Sequence, residues 1–446
     1  MTVVGLAREG VDLARFLVRE GARVRVTDRK PPEELADALA ALEDLDVALS
    51  LGGHPPEEVL AAELLFVSPG VPPATPVLVE ARRRGLALSS ATELFFARCP
   101  APIIGITGSS GKSTTTALVG EMLAASGRQV VVGGNIGRPL LARLAELDPE
   151  SLVVMELSSF QLETLDSSPP VATITNVTPN HLDRHGSMEA YVAAKERIFR
   201  FQGPTDWTVL NADDPISIGF RPPGRLARFS LERPVLGAYL SDRRLWLELR
   251  ERRREICRAD EVALRGRHNL ANALTACATA ALGGATVEAM GSVLRSFRGL
   301  PHRLRKVGEL RGVAFYDDSI ATSPERSMAA LAAFDEPVVL LAGGRDKHLP
   351  MDEWAQMLRR RAVGVVLFGE AREKIRAALE RADYPAERVR SADSIPAAVR
   401  AGLELAAPGH VVLLSPGCTS YDMFGDFVER GRAFAAAVQA LAREAA

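Results

Sequence analysis

One stretch restricts what this chain can fold into more than any other: Ile103 to Thr116, reading I-I-G-I-T-G-S-S-G-K-S-T-T-T. The apolar run Ile103 to Ile106 has the length and composition of a buried strand, and it breaks at Gly108-Ser109-Ser110-Gly111. Lys112, Ser113 and Thr114 then open a segment whose apolar residues Leu118, Val119, Met122 and Leu123 predict an amphipathic helix. Strand, glycine loop and helix start make an anion cradle, because free backbone N–H groups and the positive end of the helix dipole face one point. In such a cradle Lys112 reaches the outer phosphates of a nucleotide and the Ser113 hydroxyl faces Mg²⁺. The full pattern has a further glycine at the position of Ile106. A plain Gly/Ser turn is the competing explanation, and the ordered strand, loop, lysine and hydroxyl weigh against it.

A length of 446 residues predicts about two to four domains. The net charge of −2 gives no prior for nucleic acid or a membrane surface. No apolar run approaches the ~20 residues of a membrane helix, and the start M-T-V-V-G-L-A-R has no basic leader. Cys99, Cys257, Cys277 and Cys418 lack metal-ligand spacing and read as free thiols in a reducing cytoplasm. The basic residues are nearly all arginine; the lysines are Lys30, Lys112, Lys195, Lys306, Lys347 and Lys374. Where a plain surface charge suffices this chain uses arginine, so a lysine is more often one that chemistry requires.

The first ninety or so residues alternate short apolar runs (Val24 to Thr27, Val47 to Leu49, Leu64 to Ser68, Ala87 to Ser89) with helical stretches, the rhythm of a Rossmann-like domain. Its first loop, Gly5-Leu-Ala-Arg-Glu-Gly10, is a variant of the dinucleotide fingerprint, and Asp28 closes the next strand where a ribose-binding acid belongs. NAD binding, UDP-sugar binding and tight packing all remain open for that loop. The central region has strands at Val130 to Val132, Leu152 to Glu156, Val171 to Val177 and Trp207 to Asn211, each running into polar residues. Those tips carry Gly133-Gly134-Asn135-Ile136-Gly137, Glu156-Leu-Ser158-Ser-Phe-Gln161 and Thr178-Pro-Asn-His181-Leu-Asp183, so a carboxylate and an imidazole face the phosphate loop. Lys195 lies on the helix Tyr191 to Phe199, beside its apolar stripe. Residues 212 to about 260 read as short strands of an antiparallel flap, and the helix after Gly266 places Asn269 and Asn272 on one face, Asn269 also being a candidate cap. After a hinge-like Phe297 to Arg303, a third alternating region ends its strands in Asp317-Asp318-Ser-Ile320-Ala-Thr322, Gly343-Gly-Arg-Asp-Lys347 and Ser415-Pro-Gly-Cys-Thr-Ser420-Tyr-Asp422. The expected class is α/β with three domains: a Rossmann-like domain at 1–90, a central P-loop mononucleotide-binding domain at 91–297, and a Rossmann-like domain at 298–446.

Taken together, T-G-S-S-G-K-S-T, N-V-T-P-N-H-L-D, Y-V-A-A-K, H-N-L-A-N-A, G-L-P-H-R, G-G-R-D-K and S-P-G-C-T-S-Y-D resemble the strings of the Mur ligases, ATP-dependent amide-bond-forming enzymes of peptidoglycan synthesis. E-L-S-S-F-Q-L-E resembles the D-glutamate-adding branch of that family. The resemblance implies UDP-N-acetylmuramoyl-L-alanine and D-glutamate as substrates, ATP and two Mg²⁺ ions as cofactors, and a cytoplasmic enzyme. It implies a monomer with no nucleic-acid partner and no membrane insertion. It implies that Ser113 and Glu156 bind one Mg²⁺, that His181 and a carbamylated Lys195 bind the second, and that Lys112, Glu156, His181 and Lys195 are catalytic. ATP is assigned to Gly108, Ser109, Ser110, Gly111, Lys112, Ser113, Thr114, Asn269, Asn272, Arg303 and Asp318. The UDP substrate is assigned to Asp28, Arg29, Lys30, Gly70, Val71, Asn135, Ser158 and His181. D-glutamate is assigned to Thr322, Lys347, Ser420 and Phe427. The chain departs from the family strings at Ser110, where asparagine is usual, and at Ile320, where a lysine is expected; either Arg345 or Lys306 supplies that charge or activity is reduced. A folylpolyglutamate synthase-like ligase, an NAD-dependent dehydrogenase and a non-catalytic binding relative are the rival readings.

Overall fold

In a computed structural model, which describes residues 1–135, 139–249 and 252–444, the chain builds three sheets. Ile136 and Gly137 of the central glycine loop lie outside the described residues. The first sheet contains β1 (Thr2–Val4), β2 (Val24–Asp28), β3 (Val47–Leu51), β4 (Leu64–Val67) and β5 (Ala87–Ser89) in the order β3-β2-β1-β4-β5. All four pairings are parallel. The order reverses between β1 and β4, so the loops after those strands, Gly5 to Gly10 and Ser68 to Val71, flank the switch point where ligands of such sheets bind.

The second sheet contains β6 (Ile103–Thr107), β7 (Val130–Gly134), β8 (Leu152–Glu156), β9 (Val171–Ile174), β10 (Trp207–Asn211), β11 (Arg225–Ser230), β12 (Gly237–Ser241), β13 (Arg244–Leu249) and β14 (Arg252–Arg258). Its order is β14-β13-β12-β11-β10-β9-β6-β8-β7. β6 sits between β8 and β9, again at a switch point, and every one of its residues is buried, which is why it reads as an unbroken apolar run. The expected flap is part of this sheet. β11 joins β10 and β12 joins β11 in parallel, and only β12-β13-β14 run antiparallel.

The helix Lys112–Ala125 is not one-sided as its spacing predicts. Thr114, Thr115, Thr116, Leu118, Val119, Gly120, Met122 and Leu123 are all buried. It is enclosed because neighbours reach it from several directions. A Cβ on Gly120 would stand 2.4 Å from Val132, and one on Gly283, just past the helix Arg267–Leu282, would stand 3.0 Å from Leu123. Small residues at those contacts let backbones approach closely. The cores of the first two sheets merge into one cluster running from Val3 and Phe66 through Phe95 to Met155 and Ile198.

The third sheet contains β15 (Arg305–Leu310), β16 (Val313–Asp317), β17 (Val338–Gly343), β18 (Ala362–Phe368), β19 (Val389–Ser391) and β20 (Val411–Gly417), in the order β15-β16-β20-β17-β18-β19. Only the β15–β16 pair is antiparallel. The loops after β16, β17 and β20 leave the carboxyl ends of three adjacent strands. The chain divides into two compact units, 1–261 with 271–295, and 262–270 with 296–446. No described helix is long and apolar enough to cross a membrane, and all four cysteines are unpaired thiols.

Candidate active site

The phosphate loop is fastened from behind. Gly111 has φ 79°, a left-handed conformation, and a Cβ there would lie 2.2 Å from Asn272 Oδ1; at Gly108 it would lie 1.9 Å from Thr175 Oγ1. The segment that follows β9 holds the loop. Ser109 N–H donates to Asn176 O at 2.9 Å, Ser110 N–H to Asn176 Oδ1 at 3.0 Å, and Thr175 Oγ1 to Ser110 O at 2.6 Å. Ser109 Oγ donates to Thr178 O at 2.9 Å and meets the buried Tyr191 hydroxyl at 2.9 Å. Lys112 Nζ donates to Gly108 O at 2.9 Å, laying the ammonium across the loop's mouth. Ser113 and Thr114 follow in the first helical turn, Ser113 half-buried. Thr175, Asn176 and Tyr191 were not singled out from the sequence as site residues; Asn176 and Tyr191 begin the N-V-T-P and Y-V-A-A-K strings, and Thr175 lies just before the first.

Glu156 ends β8, directly beside β6, and is 1 % exposed. Asn135 Nδ2 donates to its Oε1 at 2.8 Å, while Oε2 is buried with no hydrogen-bond partner. An unsatisfied buried carboxylate oxygen costs about 1–3 kcal/mol or more, so the arrangement asks for a cation. Asn135 is thus aimed at Glu156. Lys195 is also 1 % exposed. Burial, and then the nearby Lys112 charge, push its ammonium well below the ordinary lysine range. Its Nζ stands over the face of Tyr191, 4.5 Å from the ring centroid. His181 is exposed, caps the short helix Leu182–His185 with φ 54°, and packs edge-on against Phe160 at 5.2 Å. Behind it His185 bridges Ser159 Oγ and Glu163 Oε1, each at 3.0 Å. Among the described residues no three His, Cys, Asp or Glu side chains gather as a metal cluster. The candidate metal set is a carboxylate, an imidazole, a hydroxyl and a buried amine, and the orphaned Glu156 oxygen fits a hard divalent cation.

In the first sheet the glycine loop is tightly packed. A Cβ on Gly10 would stand 2.2 Å from Gly5 O, and Ser68 Oγ donates to Gly5 O at 2.8 Å. Asp28 accepts from Leu6 N–H at 2.6 Å and Lys30 N–H at 2.9 Å, so its carboxylate also braces the loop. Arg29, Lys30 and Gly70 are exposed, Lys30 lying 3.7 Å from Glu34. Arg184 reaches Val71 O at 3.3 Å. Ser158 forms a capping box with Gln161, whose amide also donates to Glu9 at 2.8 Å.

In the second unit, Asp318 is buried and pushed up to about 7 by burial, though Ser415 Oγ and Leu304 N–H donate to it at 2.8 and 3.2 Å. Arg303 lies close enough to oppose that rise. Asn269 is not a cap; it lies within the first turn of Arg267–Leu282 and donates to Arg265 O at 2.7 Å. Thr322 is half-buried and Ser420 buried, at the ends of β16 and β20; Lys347 follows β17. Phe427 opens the helix Phe427–Glu444, and its carbonyl accepts from Ser319 Oγ at 2.8 Å. One organising residue escaped the sequence reading. Arg430, fully buried, donates to Ser319 Oγ and O at 2.9 and 2.8 Å and to Cys418 O and Thr419 O at 3.1 Å, binding the loops after β16 and β20 together.

The model of the Mur ligase MurD-like N-terminal domain matches residues 1–90, that of the Mur ligase middle domain 106–280, and that of the Mur ligase glutamate ligase domain 302–418. This chain belongs to the Mur ligase family. It is 43 % identical to the UDP-N-acetylmuramoylalanine–D-glutamate ligase of Symbiobacterium thermophilum, over 98 % of this chain and 97 % of that one. It is 40 % identical to the ligase of the same name from Caldanaerobacter subterraneus, over 99 % and 98 %. Among solved structures the fold is similar to the UDP-N-acetylmuramate–alanine ligase of Thermotoga maritima, with TM-score 0.62, 19 % identity and 99 % of each chain covered.

Proposed function

We propose that this chain joins D-glutamate to UDP-N-acetylmuramoyl-L-alanine with cleavage of ATP to ADP and phosphate, in the cytoplasmic synthesis of peptidoglycan precursors. The observation that carries the reading is identity of about two residues in five, end to end, with ligases of that name, in a chain whose phosphate loop stands beside a carboxylate with an unbonded oxygen. The rival readings lack this: a dehydrogenase leaves the Lys112 loop without a task.

The alanyl carboxylate attacks the γ-phosphorus, ADP leaves, and an acyl phosphate forms; the amine of D-glutamate then attacks the acyl carbon and phosphate departs. Carboxylate and γ-phosphate repel, so the barrier is largely electrostatic. Lys112 and the N–H groups of Gly108 to Thr114 offset that repulsion without reorganising, because Thr175 and Asn176 already fix the loop. Ser113 and Glu156 would hold one Mg²⁺ and His181 with a carbamylated Lys195 a second, and these ions would supply further positive charge against the repulsion. A neutral Lys195 amine can take up CO₂ and release a proton, turning a cation into an anionic oxygen ligand; arginine has no such chemistry. In the first unit Asn272 is assigned to ATP, and Asp28, Arg29, Lys30, Gly70, Val71, Asn135, Ser158 and His181 to the UDP substrate. In the second unit Asn269, Arg303 and Asp318 are assigned to ATP, and Thr322, Lys347, Ser420 and the backbone at Phe427 to D-glutamate. The domain limits 1–90, 91–297 and 298–446 belong to the same reading.

Phosphate release from ATP, with UDP-N-acetylmuramoyl-L-alanine present and amino acids offered singly, tests it. Release with D-glutamate and not L-glutamate is expected. Release with another amino acid only would discard the substrate assignment and keep the ligase.

A further inference from the structure

The loop after β16 has Ile320 where the resemblance leads to the expectation of a lysine near Thr322. Neither of the two expected substitutes is available for that task. Arg345 Nε lies 3.5 Å from Glu370 Oε2, and Lys306 Nζ lies 2.7 Å from Glu309 Oε2. Arg326 is placed differently. It is exposed, the third residue of the helix Pro324–Leu331, and its Nη1 donates to Ile320 O at 3.4 Å. Its guanidinium therefore stands over the backbone of residue 320.

Three further observations say that an anion is due there. Among the described residues no carboxylate forms an ion pair with Arg326 or with Lys347. A cation in the first turn of a helix opposes the macrodipole at about 0.3–1 kcal/mol, and the N-cap Ser323 makes no side-chain cap bond, so Arg326 is not placed there for the helix's own benefit. Arg326 also lies near enough to Lys347 that its charge, after desolvation, holds that ammonium below its ordinary value. Two like charges, one on the helix after the β16 loop and one in the loop after β17, repel each other, and an anion bound by both would relieve that repulsion.

We propose that Arg326 supplies the cation that residue 320 lacks and, with Lys347, binds a carboxylate of the incoming amino acid. This rests on the D-glutamate reading above. A planar guanidinium on a helix turn takes a carboxylate through two parallel N–H bonds, a more directional grip than a lysine offers. Ile320 is then a relocated charge and not a loss of function.

The test compares wild type, Arg326→Gln and the double variant Arg326→Gln with Ile320→Lys, in apparent KM for D-glutamate, ATP and the UDP substrate. Arg326 is exposed, so its replacement leaves the core intact. Loss of a charge-assisted carboxylate bond is expected to raise KM for D-glutamate about tenfold or more. The other two KM values should stay within about twofold, and lysine at 320 should recover most of the loss. An unchanged KM for D-glutamate, an equal rise for all three substrates, or a rise that lysine at 320 does not reverse overturns the proposal. Wild type that releases no phosphate with D-glutamate overturns the functional reading, and this inference with it.

Discussion

Lys195 and Arg430 are both cations sealed from water, at 1 % and 0 % exposure, and the protein treats them in opposite ways. Arg430 is heavily bonded: its guanidinium donates to a hydroxyl and three carbonyls of two loops. Burial lowers it to about 10, so it remains charged at neutral pH. Lys195 has no hydrogen bond among the described residues, only the ring face of Tyr191. Burying a charge costs several kcal/mol unless partners replace its water. A buried cation with many bonds serves as a brace; burial and the Lys112 charge instead push the Lys195 ammonium well below the ordinary lysine range. In the first unit Glu156 Oε2 is buried with no hydrogen-bond partner, and Glu156 and Lys195 both belong to the proposed metal set. In the second unit the buried cation is bonded within the protein, and Lys347 and Arg326, proposed for the substrate, are exposed.

The contrast can be broken in four places. Lys195→Ala should lower turnover by ~10³-fold or more, with short-chain carboxylates restoring part of it, while thermal stability holds or rises. An unchanged rate in the phosphate-release assay would remove Lys195 from the site. Arg430→Met should cost about 3–5 kcal/mol in denaturant unfolding, because four acceptors lose their donor. If its stability is unaltered, Arg430 is not a brace. Lys347→Ala should raise KM for D-glutamate about tenfold and leave KM for ATP nearly unchanged; equal changes would move Lys347 to the phosphates. Tyr191→Phe removes one bond to Ser109 and should cost about 1 kcal/mol, a few-fold in KM for ATP. A loss as large as that of Lys195→Ala would give Tyr191 a chemical role.

What was legible in the sequence was local. Ile103 to Thr116 announced β6, the glycine turn and the helix start because each depends on a few consecutive residues. Lys195 stood out because this chain writes arginine elsewhere. What stayed hidden depends on partners far along the chain. The helix Lys112–Ala125 looked one-sided since nothing local reveals that Val132 and Gly283 crowd its other faces. Residues 212 to about 260 read as an antiparallel flap since only pairing shows that β11 continues the sheet of β10 in parallel. Arg430 lies 111 positions from Ser319, and no spacing rule connects them. Arg326 meets Ile320 O only through the turn of a helix, which no spacing in the sequence announces.

The claim on which the rest leans is that Lys195 is kept unbonded so that it can carry a carbamate. The direct measurement is ¹³C NMR of the protein equilibrated with ¹³C-bicarbonate, compared with Lys195→Ala. A carbamate resonance in wild type that is absent from the variant, and that rises and falls with phosphate release as bicarbonate is added or removed, is the predicted result. Full turnover in a wild-type sample with no such resonance would contradict it.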